Sequence, residues 1–227
     1  MLALVGSGEY LPPIEPLDRT LMGLLPESAR VVCLPTAAGL EGDERIRYWM
    51  DLGVRHFTRL GAAVEALPLV ERSGALDQGL AERIRQANFV YLSGGKPDYL
   101  HHTLDNSPAW EAIMEVHQRG GMVAGCSAGA MIMGERLPGF PGWGAAFGLL
   151  PGTAILPHFD EIPPVFIRTA RFLAARRLTV LGIEGNTALL VTPGGWQAAG
   201  LGGVTVWDSQ ARRRYPAGEA VPEVIVQ

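Results

Sequence analysis

Two cysteines among 227 residues, Cys33 and Cys126, are too few for a disulfide framework or a zinc cluster. Long hydrophobic runs are missing as well. No stretch approaches the roughly 20 apolar residues that a bilayer-spanning helix needs. The opening "MLALVGSGEYLPP" has neither the basic start nor the extended apolar run of a secretory signal. Charge of a single sign is also absent. The net charge is −4 with both signs scattered and no basic stripe, which speaks against nucleic acid or an anionic membrane as partner. Together these absences predict a cytoplasmic protein. What abounds is punctuation: 29 glycines and 17 prolines stand at the ends of apolar runs rather than in a disordered tract.

The runs they punctuate are short. "LALVG" (2–6), "RVVCLP" (30–35), "AVEALPL" (63–69), "NFVYLSGG" (88–95) and "GMVAGC" (121–126) have the length and composition of strands buried on both faces of a parallel sheet. Helical patterns lie between or after them, at 41–60, 75–87, 108–119 and 163–177. The third carries its own start and stop signals: Ser107 as N-cap, Pro108 at the first helical position and Gly120 beyond the end. Such alternation predicts an α/β fold with a doubly wound, mostly parallel sheet flanked by helices. The last fifty or so residues change character. "LTVLGIEGNTALLVT" and "GWQAAGLGGVTVWDS" read as consecutive strands joined by tight turns, followed by a polar turn at "QARRRYPAGE". An antiparallel extension at one sheet edge is expected there. With no linker or repeat, residues 1–227 are read as one domain.

A chemical signal sits in "VAGCSAGAMIMG" (123–134). A buried strand runs into Gly-x-Ser-x-Gly and then into a helix-compatible stretch. That order places the central residue at a strained strand-to-helix bend with its side chain above the sheet edge. The centre is Ser127. Cys126, one residue earlier, points to the other side of the strand and reads as a small buried hydrophobe. A serine needs a base, and of five histidines only His158 follows Ser127 in the chain. His158 leaves the strand-like "GTAILP" at the sheet edge where open α/β sheets carry their sites. His56 and His117 fall in or near helical patterns, and His101 and His102 start a helix after "GGKPDYL". The acid between Ser127 and His158, Glu135, is badly placed, whereas Glu184 ends a strand before a Gly-Asn turn. The order Ser, His, Glu departs from the Ser, acid, His order of an α/β-hydrolase. For the oxyanion hole, the Ala128 N–H comes with the bend, and Gly94 or Gly95 of "LSGG" is the candidate second donor.

"GCSAGA", "LSGG", "LPHF" and "GIEGNTAL" resemble, in order and spacing, peptidase family S51, which holds dipeptidase E and cyanophycinase. The family belongs to the class I glutamine amidotransferase-like, flavodoxin-like fold. The resemblance covers roughly residues 1–192 and implies a Ser127 nucleophile, a His158 base and a Glu184 acid. It also implies an oxyanion hole that includes Gly94 and Gly95. No cofactor or metal is implied. Lys96-Pro97 stands where members commonly carry Asn or Gln, a departure expected to alter the floor of the substrate pocket. A preference for an N-terminal Asp, as in dipeptidase E, implies basic partners for a carboxylate. Lys96, Arg168 and Arg171 are the candidates.

The sequence thus predicts a serine peptidase acting on a small peptide. Two alternatives stand beside it: a glutamine amidotransferase-like hydrolase using Cys126, and a binding protein that keeps the bend without catalysis. The apolar segment 137–152 would cap the pocket or form a homodimer contact, with Trp143 and Phe147 as anchors.

Overall fold

The computed structural model describes residues 1–138, 143–163 and 178–224. Five strands form the parallel part of the larger sheet: β1 (Leu2–Val5), β2 (Arg30–Leu34), β3 (Ala63–Ala66), β4 (Phe89–Leu92) and β5 (Met122–Cys126). They lie in the order β3-β2-β4-β5-β1, each neighbour pair parallel. All five expected strands are present, in the doubly wound arrangement.

The period of two explains why these runs are apolar throughout. Ala3 and Val5, with Val31, Cys33, Phe89, Tyr91, Ala124 and Cys126, pack beneath α1 (Glu15–Gly23) and α2 (Asp43–Arg59). Leu2 and Leu4, with Val32, Leu34, Val90, Leu92 and Val123, face the opposite core. That core is covered by α3 (Arg72–Ala75), α4 (Gln78–Arg85), α5 (Pro97–Leu104) and α6 (Pro108–Gln118). Each leucine so buried contributes about 2 kcal/mol. The pattern read at 75–87 starts earlier and is interrupted, because the Asp77 side chain accepts the Leu80 N–H at 2.9 Å and opens a new helix. Ser107 caps α6 as expected, its Oγ accepting the Trp110 N–H at 3.1 Å. The helix read at 163–177 falls on residues 164–177, outside those described.

The helix expected after Ser127 is short. α7 spans only Ala128–Met131, and "GERLP" becomes β6 (Gly134–Pro138). β6 belongs to a second, six-stranded sheet, with β7 (Trp143–Ala145), β8 (Leu150–Leu156), β9 (Thr179–Ile183), β12 (Gly203–Trp207) and β13 (Arg212–Pro216). The larger sheet receives β10 (Thr187–Thr192), β11 (Gly195–Gly200) and β14 (Ala220–Val221), antiparallel and beyond β1. This is the expected edge extension. Its neighbours in sequence do not share it: β9 and β10 are three residues apart yet lie in different sheets. The reason is burial, since Leu181, Ile183 and Val204 of the second sheet complete the same apolar core as Leu189 and Ala198 of the first. Among the described residues no helix is long and apolar enough to cross a membrane.

Candidate active site

β5 ends in a bend. Ser127 holds φ 50° and ψ −108°, a conformation that costs a non-glycine residue about 1–3 kcal/mol. Its neighbours enforce it. The Ser127 N–H donates to the Val5 carbonyl at 2.9 Å, and its carbonyl accepts from Ala130 and Met131 at 3.0 Å each. Gly125 is required at the approach, because a Cβ there would lie 2.3 Å from the Gly129 backbone. α7 is a single turn. It therefore offers the Ala128 N–H of a first helical position, which has no acceptor among the described residues, rather than a long helix dipole.

His158 reaches the same point from β8. Its Nε2 lies 3.1 Å from Ser127 Oγ, within hydrogen-bonding distance. The residue has φ 51°, held on its C-terminal side by the Phe159 N–H donating to the Ile183 carbonyl at 3.0 Å. The Phe159 ring occupies the space that any side chain at Gly182 would fill. The other histidines are engaged elsewhere or exposed. His56 Nε2 contacts Asp18 Oδ2 at 2.7 Å in the interior, with both side chains fully buried. His117 meets the amino terminus at 3.3 Å, His101 packs on Phe147, and His102 is exposed.

The expected acid is placed differently. Glu184 accepts two bonds from Arg214, Nε to Oε1 at 2.5 Å and Nη2 to Oε2 at 2.6 Å, and a third from the Gly203 N–H at 2.9 Å. Among the described residues it makes no hydrogen bond to His158. The carboxylate beside His158 Nδ1 is Glu161, at 3.5 Å and 67% exposed. The turn that carries Glu184 nevertheless braces the histidine loop, since the Gly185 N–H donates to Asp160 Oδ1 at 2.8 Å. Glu135 is on β6, where it accepts the Gly152 N–H at 2.7 Å.

Ser127 and His158 line a cavity of about 370 Å³ with Ser7, Gly8, Glu9, Gly94, Gly95 and Cys126 on one side. Its other wall is the α2 face carrying Arg45, Tyr48, Trp49 and Leu52, joined by Leu11 and by Glu41, which precedes the helix. The Arg45 guanidinium lies 5.0 Å from the Tyr48 ring centroid and 4.9 Å from that of Trp49, an arrangement that fixes a cation at the mouth. Glu41 Oε2 is 3.4 Å from it. Lys96 is exposed before α5, with Pro97 opening the helix, and neither lines the cavity, so the pocket floor is not built from them. Arg168 and Arg171 lie outside the described residues. Phe147 stacks on Trp110 with ring centroids 3.6 Å apart, packing against α6 rather than capping the pocket. Of Trp143 the structure describes the strand backbone only.

Two features here escaped the sequence reading. The first is the α2 face. Its signal was the spacing of Arg45, Tyr48, Trp49 and Leu52, a stripe at i, i+3, i+4 and i+7. The second is Glu9, in the glycine-containing loop that leaves β1 beside β5. It is 7% exposed, and both carboxylate oxygens lie 3.0 Å from the Gly94 nitrogen. That N–H is thereby taken, whereas the N–H groups of Gly95 and Ala128 have no acceptor among the described residues. Burial pushes the Glu9 carboxyl up to about 7, against the lowering effect of the Cys126 thiol and the Gly94 N–H. Burial, followed by the charge of Glu9, also raises Cys126 well above the ordinary thiol range. A thiol so held is a poor nucleophile.

Comparison with known proteins gives a consistent picture. The family model described as Peptidase family S51 matches residues 2–198. The crystal structure of a peptidase from an acI-B1 Actinobacterium superposes with a TM-score of 0.85 at 34% identity, covering 97% of this chain and 95% of that one. A peptidase E-like protein from Listeria monocytogenes EGD-e shares the fold, with a TM-score of 0.64 at 20% identity over 88% of this chain and 98% of that one. An uncharacterized peptidase of Listeria monocytogenes is 29% identical over 107 residues, 47% of this chain and 49% of its own length. One of Pasteurella multocida is 27% identical over 111 residues, 49% of this chain and 51% of its own. The chain thus spans about half the length of the curated relatives it matches.

Proposed function

The chain belongs to peptidase family S51, and from that premise we propose that it is a serine peptidase cleaving short peptides through an acyl-enzyme. The observation that carries this reading is the 3.1 Å approach of His158 Nε2 to Ser127 Oγ at a strained bend in the wall of a cavity. His158 takes the hydroxyl proton as Ser127 attacks the scissile carbonyl carbon. The developing oxyanion accepts from the Ala128 and Gly95 N–H groups. His158 then gives its proton to the leaving amine, which departs as the C–N bond breaks. A water, deprotonated by the same imidazole, attacks the acyl carbon and frees Ser127.

In the arrangement observed, Glu161 is the carboxylate nearest His158 Nδ1. Glu184, the acid implied by the family pattern, would serve there only after releasing Arg214. A preference for substrates with an acidic first residue rests on Arg45, the guanidinium lining the cavity. The test is a dipeptide library containing Asp-X, Glu-X and neutral members, read by release of the second amino acid. Hydrolysis concentrated in Asp-X is the expected profile, and a library left uncleaved would overturn the reading.

A further inference from the structure

Glu9 is a buried carboxyl that opens on the substrate cavity without a cationic partner among the described residues. Its neighbours are one N–H, from Gly94, and the Cys126 thiol. A carboxylate has about four lone-pair sites and, out of water, needs more than this to remain charged. Its position is equally specific. A Cβ built on Gly94 would lie 3.2 Å from Glu9 Oε2 and 3.3 Å from the Ser127 Cβ, so the carboxyl and the nucleophile flank the same glycine.

That placement has a consequence for substrates. In a peptide cleaved after its first residue, the α-nitrogen is two bonds from the carbonyl carbon under attack, about 2.5 Å away. Only groups bordering Ser127 can meet it. Building on the serine peptidase reading above, we propose that Glu9 binds the free α-ammonium group of the substrate and restricts the enzyme to unblocked amino termini. An ammonium brings three donors and a full positive charge to a carboxylate short of both. An internal peptide bond or an acetylated terminus brings one neutral N–H and extra acyl atoms into the same space.

The experiment measures binding apart from catalysis. Asp-Leu and N-acetyl-Asp-Leu are titrated calorimetrically into the Ser127→Ala protein and into the same protein also carrying Glu9→Gln. A buried charge pair predicts that the free-amine peptide binds about 10²-fold more tightly than the acetylated one, a preference that falls to within about tenfold when Glu9 is neutralised. Should Glu9→Gln fail to fold, Glu9→Asp in the Ser127→Ala protein takes its place: drawing the carboxylate back by one methylene should lower the free-to-acetyl ratio, and an unchanged ratio would overturn the assignment. Equal affinity for the two peptides, a preference that survives Glu9→Gln, or no binding of either peptide would each overturn the assignment. Hydrolysis by the wild-type protein is scored separately, so a protein that selects free amines without cleaving them would refute the peptidase reading and leave Glu9 as the anchor.

Discussion

Two glutamates at this end of the molecule, Glu184 and Glu9, stand in opposite circumstances. On the side where the two sheets meet, Glu184 is held by both arms of the Arg214 fork and by the Gly203 N–H. On the side of the central parallel strands, Glu9 is buried with one N–H and a thiol for company. The first has its charge compensated before any substrate arrives, so turning toward His158 means leaving an arginine behind. The second has no cationic partner among the described residues and has most to gain from an incoming cation. Proximity to a nucleophile therefore does not define a carboxylate's role; what already neutralises it does.

The difference predicts opposite responses to neutralisation. For Glu9 the folded protein holds the proton more tightly than the unfolded chain, so its contribution to stability is fully present below the ordinary glutamate value and is lost as pH rises through the folded one. The Cys126 thiol and the Gly94 N–H bond to it and lower it, while the charges of Glu41 and Asp18 raise it further. A rise from 4.5 to about 7, at about 1.4 kcal/mol per unit, makes the loss about 3 kcal/mol, to be read as unfolding free energy against pH for wild type and Glu9→Gln. The wild-type curve should fall relative to the variant between those limits, and parallel curves would show that Glu9 is not desolvated. Glu184→Gln should act the other way, costing about 1 kcal/mol of stability, because Arg214 is half exposed and keeps access to water. Its activity should stay within about tenfold of wild type; a loss near 10³-fold without a change in stability would mean that Glu184 leaves Arg214 for His158 during turnover. The smallest effect belongs to Glu161→Gln, where solvent screens an exposed pair and a change of less than about threefold in kcat is expected.

Much of this site was legible in the residues, for reasons that are local. The apolar run ending at Cys126, the glycine that must sit at 125 and the serine two residues later are consequences of short-range sterics. His158 followed from its place after a strand, and its φ of 51° was then set by contacts no spacing rule describes. What stayed hidden was non-local. Thr179–Ile183 and Thr187–Thr192 read as a continuous antiparallel pair, and only the packing of Ile183 and Leu189 in one core shows them parting into two sheets. "RRRY" read as a solvated turn, yet it is β13, and Arg214 reaches back thirty positions to Glu184. Glu9 was invisible for the same reason: the glycines around it announced a turn, while its burial arises from β5 and the Gly94 loop closing over it.

In the proposed reaction the Ser127 hydroxyl, deprotonated by His158, is the nucleophile. Its most direct test is kcat/KM of Ser127→Ala on the best dipeptide substrate, measured beside wild type after circular dichroism has shown the two folds to be alike. A fall of about 10³-fold or more is the predicted result. A folded Ser127→Ala protein that retains activity within about tenfold of wild type would contradict it.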